Sequence, residues 1–98
     1  MRTAARVDAN QKRIVAALRK VGATVQHLHR LGKGCPDLLV GWQGQNILME
    51  VKDGSKPPSA QKLTPDEVKW CGQWRGRVLL VRDASEAVVL LTQAVRRG

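Results

Sequence analysis

The sequence predicts an α/β fold with elements in the order α-β-β-β-α-β-α. Three observations carry this. Ile14, Val15, Leu18 and Val21 recur at helical spacing near the start of the chain. Two short apolar runs, Leu38–Val40 and Ile47–Met49, flank the turn-like Trp42-Gln43-Gly44-Gln45-Asn46 and read as a β-hairpin. A third apolar run, Arg77–Arg82, lies between two strong helix starts at Thr64 and Asp83.

Taken in order, residues 1–7 are small and basic and read as a flexible arm. Asp8 to Val21 is the first helix, with Asp8 or Asn10 as N-cap and Gly22 at its end. Its polar face carries Lys12, Arg13, Arg19 and Lys20. Thr24 to Arg30 alternates and predicts the first strand, with His27 and His29 on one face. A histidine pair at i, i+2 supplies too few ligands for zinc, and no Cys-x-x-Cys or His-x-x-x-His accompanies it. Surface or half-buried histidines are the simpler reading, with His29 a candidate for facing a phosphate. Leu31 to Gly34 is then a glycine loop holding Lys33, where backbone amides can approach a phosphate.

A two-residue hairpin loop at Gln43-Gly44 pairs Trp42 with Gln45 and Val40 with Ile47. It also sets Asp37 directly opposite Glu50, where side chains lie roughly 4.5–5.5 Å apart and like charges repel. Lys52 follows on the same face of the same strand. A divalent cation between the two carboxylates converts that repulsion into a binding site, since hard cations take oxygen ligands.

Gly54 to Lys62 is a proline-containing basic loop carrying Lys56 and Lys62. Thr64-Pro65-Asp66-Glu67 predicts a capped helix, with Thr64 as N-cap and Glu67 closing a capping box. This helix runs to about Trp74 with Val68, Cys71 and Trp70 or Trp74 inward, Cys71 as a core thiol. Gly76 ends it, Arg77–Arg82 is expected to be central in the sheet, and Asp83 caps a last helix of Ala87, Val88, Leu90, Leu91 and Ala94.

The 98 residues suit a single domain, 1–98, and 43% hydrophobic content with neither Phe nor Tyr makes its core aliphatic. Lys and Arg number 17 against 8 Asp and Glu, a net charge of +9, which favours a polyanionic partner, nucleic acid first. No apolar run approaches a transmembrane span, no lipidation motif is present, and Met1-Arg2-Thr3 opens no signal peptide. Cys35 and Cys71 make no disulfide framework, so an intracellular, cytoplasmic protein is expected.

Pro36-Asp37 and, thirteen positions after Asp37, Glu50-Val51-Lys52 resemble the PD-(D/E)xK nuclease signature. The surroundings resemble its VRR-NUC branch: Gly34 before the PD, a lysine-rich loop after the EVK, and Leu63-Thr64-Pro65 opening a helix with Trp70. Small phage-type and Holliday-junction-resolvase-like nucleases are similar in size and element order, and the likeness spans roughly residues 8 to 92. The resemblance implies a restriction-endonuclease-like core, a central mixed sheet flanked by helices, and possible phage or prophage origin.

It further implies a metal-dependent DNA endonuclease, structure-selective (junction or flap) or weakly selective, working as a homodimer or higher homo-oligomer. Asp37, Glu50 and the Val51 backbone carbonyl would hold Mg²⁺ or Mn²⁺, and Lys52 would be catalytic with them. Such nucleases often add an acidic residue from the first helix; Asp8, Asn10 and Gln11 stand there, and Asp8 is the acidic one. Glu67 occupies a place where the family tends to have Gln, and its capping role explains it without catalysis. Arg30, His29, Lys33, Lys56 and Lys62 are the expected DNA contacts. A non-catalytic DNA-binding protein with this fold, or a basic module for an acidic protein partner, are the alternatives.

Overall fold

The structure is a computed structural model that describes residues 8–97; the basic arm expected over residues 1–7 lies outside the described residues. Its elements are α1 (Ala9–Lys20), β1 (Thr24–His27), β2 (Leu38–Trp42), β3 (Gln45–Val51), α2 (Pro65–Gln73), β4 (Val78–Val81) and α3 (Ala84–Arg97). Single 3₁₀ turns occupy His29–Leu31 and Pro58–Gln61. The order is the expected α-β-β-β-α-β-α.

The four strands form one sheet in sequence order. β1, β2 and β3 are antiparallel, and β4 joins β3 in parallel after a crossover through α2. The hairpin register is the expected one, with Trp42 opposite Gln45 and Val40 opposite Ile47. Gln43 and Gly44 both take positive φ, 48° and 77°, the backbone twist a two-residue hairpin loop needs.

Alternation divides the sheet. Leu38, Val40, Ile47, Met49 and Val81 point to one face, where Ile14, Val15 and Leu18 of α1 and Ala87 and Leu91 of α3 close an aliphatic core. Asp37, Leu39, Leu48 and Glu50 belong to the other face, on the side of α2. Both terminal helices begin with an aspartate cap: Asp8 Oδ1 accepts from the Gln11 amide and Asp83 Oδ1 from the Glu86 amide, each at 2.8 Å. The Thr64–Glu67 capping box of α2 is complete.

Three expectations are corrected. The first strand stops at His27, because Leu28 turns to ψ 1° while its amide donates to the Asp37 carbonyl at 2.7 Å; His29 therefore sits in the 3₁₀ turn. β4 is an edge strand among the described residues, not a central one. Its residues Val78 to Leu80 are only half-buried, so its apolar run reflects cover from α3 rather than flanking strands. On α2, Val68 and Trp74 are exposed, and Cys71 and Trp70 are half-buried.

Candidate active site

Asp37 immediately precedes β2 and Glu50 is the penultimate residue of β3. The Val51 amide donates to Asp37 Oδ2 at 2.8 Å, which ties the carboxylate across the hairpin toward the end of β3. Glu50 is buried, 3% exposed, and its Oε1 has no hydrogen-bond partner. A buried carboxylate with one oxygen unpaired and the Lys52 ammonium no closer than 3.8 Å is costly to ionise, which favours its protonated form. Burial first, then the Asp37 and Glu67 carboxylates, push the Glu50 pKa up to about 9.

Lys52 continues the same strand face. Its Nζ lies 3.8 Å from Glu50 Oε2 and 2.8 Å from Glu67 Oε1. Burial opposes the ammonium charge, yet the hydrogen bond and charge of Glu67 outweigh it, and the Lys52 pKa lies above the ordinary lysine value. Burial likewise opposes the charge of Glu67, but Lys52 and the Thr64 amide hold its pKa below the usual carboxylate range. The same oxygen, Oε1, accepts from Lys52 Nζ and from the Thr64 amide, each at 2.8 Å.

One Glu67 carboxylate thus starts α2 and anchors Lys52, a second contact that its capping role concealed in the sequence.

The α1 candidates separate. Asp8 is engaged as the helix cap. Asn10 and Gln11 turn inward, both 7% exposed. Asn10 Nδ2 donates to the carbonyls of Lys52 at 2.9 Å and Arg82 at 3.1 Å, so it fastens α1 to the ends of β3 and β4. Gln11 Nε2 meets His27 Nδ1 at 3.4 Å on the α1 side of the sheet, away from the carboxylates. Burial, then His29 and Arg19, lower the His27 pKa. The His27 and His29 rings meet edge to face at 5.6 Å.

Among the described residues no group of three or more His, Cys, Asp or Glu side chains forms a ready metal site. The donors at hand are Asp37, the orphaned Glu50 oxygen and the Val51 backbone carbonyl. All are oxygens, a set that suits a hard divalent cation better than zinc. Burial, then the nearby Glu50 carboxyl, raises the pKa of both Cys35 and Cys71, which keeps them as thiols.

The expected DNA contacts lie on two segments, the one before β2 and the loop after β3. Arg30 and Lys33 are exposed on the 28–35 segment, where Gly32, Lys33 and Gly34 all have positive φ. Lys56 and Lys62 are exposed on the loop after β3, which Gln61 Nε2 braces by donating to the Lys56 carbonyl at 2.7 Å. His29 is half-buried.

Neither a family model nor a curated protein matches this chain. A solved structure titled "VRR_NUC domain" does, at a TM-score of 0.62 and 25% sequence identity, over 84% of this chain and 89% of that one. The chain therefore has a VRR-NUC-like nuclease fold.

Proposed function

We propose that this chain is a divalent-metal-dependent endonuclease acting on DNA. The observation that carries the reading is Glu50, buried with an unpartnered oxygen against Asp37 and followed two residues later by Lys52. An ordinary structural carboxylate is placed where its oxygens are satisfied. Here an orphaned carboxyl oxygen is built into the sheet beside a second carboxylate, in a chain of net charge +9.

Asp37, Glu50 and the Val51 carbonyl would hold Mg²⁺ or Mn²⁺. A bound divalent cation lowers the pKa of a coordinated water and neutralises charge developing on the scissile phosphate. Asp37 is aimed by the Val51 amide, so its free lone pairs are fixed relative to Glu50. Lys52 holds a compact positive charge beside the pair, where it stabilises added negative charge on the phosphate and orients the attacking water. Glu67 positions Lys52, and the capping box in turn fixes Glu67. Lys33, Arg30, Lys56 and Lys62 contact the DNA backbone and supply affinity that falls with salt. Single DNA-binding modules bury roughly 600–1,000 Å², and a homodimer would add surface and present one site to each strand.

One observation favours a second reading, a DNA-binding protein without turnover: Lys52 is bonded more closely to Glu67 than to Glu50. Cleavage of labelled four-way-junction, flapped, single-stranded and duplex DNA in Mg²⁺, Mn²⁺ or EDTA separates the two. Metal-dependent products from wild type, lost in Lys52→Ala, are expected. Binding that is indifferent to metal, with no products, would leave the non-catalytic reading.

A further inference from the structure

The sheet face that carries Asp37 and Glu50 continues past them. Leu39, two residues after Asp37, and Leu48, two before Glu50, are paired directly on that face. They floor a cleft of about 430 Å³ that opens between Leu31 and the indoles of Trp70 and Trp74. The walls are not covered: Leu31 is 66% exposed and Trp74 49%. The two indoles are stacked, centroids 4.7 Å apart and planes 19° from parallel. Gly76 makes room for the outer ring, since a Cβ there would stand 2.7 Å from Trp74 Nε1.

Charge identifies the occupant. The exposed Arg30 and Arg75 adjoin its lining residues Leu31 and Trp74, and its described lining contains no acidic side chain; Arg77 also lines it, with its guanidinium donating to the Ala94 carbonyl of α3. An apolar floor, an exposed indole backed by a half-buried one and a cationic rim is the composition that binds single-stranded nucleic acid, whose bases stack on aromatic faces while Arg and Lys follow the phosphates. Duplex bases are already stacked and paired and have no face to offer. A purely apolar protein segment would have no use for the rim.

The cleft also adjoins the carboxylates, because Leu39 and Leu48 line it and stand two residues along the same sheet face from Asp37 and Glu50. We propose that this cleft receives an unpaired base of single-stranded DNA next to the phosphate at Asp37 and Glu50, with Trp74 as its stacking surface. The choice of neighbouring phosphate rests on the nuclease reading; the capture of the base does not. A substrate with unpaired nucleotides at the cut, such as a flap or a frayed junction, is the class so selected.

The test measures anisotropy of a short labelled oligothymidine and of a labelled duplex in EDTA, for wild type, Trp74→Ala, Trp74→Phe and Gly76→Ala. Circular dichroism and light scattering are run on each variant. Trp74→Ala should weaken single-strand binding about tenfold and duplex binding less than about twofold, as expected for loss of one stacked base. Trp74→Phe should recover most of the loss, and Gly76→Ala, which displaces the ring without removing it, should lie between. Equal loss on both substrates, or no loss, overturns the proposal. So does a loss that accompanies dissociation of a wild-type dimer, which would make the cleft an interface between copies. Cleavage assays on the same proteins keep the two readings apart. Asp37-dependent cleavage with no Trp74 selectivity removes the cleft and leaves hydrolysis standing. Selective single-strand binding without products does the reverse.

Discussion

Lys52 Nζ is 2.8 Å from Glu67 Oε1 and 3.8 Å from Glu50 Oε2, so the strand lysine is bonded to the helix rather than to the carboxylate beside it. Glutamine at position 67 keeps an acceptor oxygen for both the lysine and the Thr64 amide; alanine keeps neither. Glu67→Gln should therefore retain cleavage to within about threefold, and Glu67→Ala should lose about tenfold or more, with about 1 kcal/mol of stability gone with the cap. Steady-state cleavage and urea denaturation of the two variants check this. Equal activity in both would show that the ion pair supports only the fold.

Glu50 makes the metal-free protein sensitive to alkali. Its pKa of about 9 in the folded state lies above the ordinary 4.5, so folding retains a proton that the unfolded chain releases. That stabilisation is complete below about pH 4.5 and is lost as pH rises to about 9. In EDTA the Tm should fall across this window. Glu50→Gln, a neutral isostere, should flatten the fall and raise the Tm at pH 8, by ~4–8 °C for each kcal/mol recovered. Mn²⁺ should raise the Tm of wild type at pH 8 and leave Glu50→Gln unmoved. A flat Tm profile for wild type in EDTA would mean that Glu50 is ionised and already satisfied.

The hairpin was legible because one decision, a two-residue loop at Gln43-Gly44, fixes every cross-strand pair from Trp42 to Leu38. Caps were legible because Asp8, Thr64 and Asp83 each serve an amide three residues away. What escaped was non-local. Apolarity in Val78–Val81 reports burial, not which strands lie alongside. Glu67 announced its contact with Thr64, three residues off, but not the one with Lys52, which depends on where α2 docks. Trp74 looked like a core ring because a sequence cannot say which side of a short helix is left open.

Asn10 is the clearest of these non-local residues. Its side-chain amide serves two carbonyls, of Lys52 and Arg82, that lie far away in the chain. Asn10→Ala removes this donor from the Lys52 carbonyl and leaves the Arg82 carbonyl with the Gly54 amide alone, at a cost of about 2 kcal/mol. Asn10→Asp should be worse at pH 8, since a carboxylate would face two acceptors where the amide donated. Urea denaturation at pH 8 should rank the three proteins wild type, Ala, Asp in falling stability. An aspartate variant as stable as wild type would show that Nδ2 does not hold the strand ends.

Gly34 and Gly44 provide a matched pair. Both have positive φ, 85° and 77°, so a side chain at either strains the backbone by about 1 kcal/mol. They differ in surroundings. A Cβ at Gly44 meets nothing within 4 Å, whereas one at Gly34 would stand 2.2 Å from the Asp66 carbonyl oxygen and 2.9 Å from the Glu67 amide. The 28–35 segment is thus pressed against the first turn of α2, the turn that carries Glu67. Gly44→Ala should cost only the conformational strain. Gly34→Ala should cost about 1–3 kcal/mol more, as overpacking against fixed backbone does, and should change the near-ultraviolet signal of Trp70 and Trp74 as α2 is pushed away. Equal losses in the two variants would show that the segment yields freely and takes no part in holding Glu67 to Lys52.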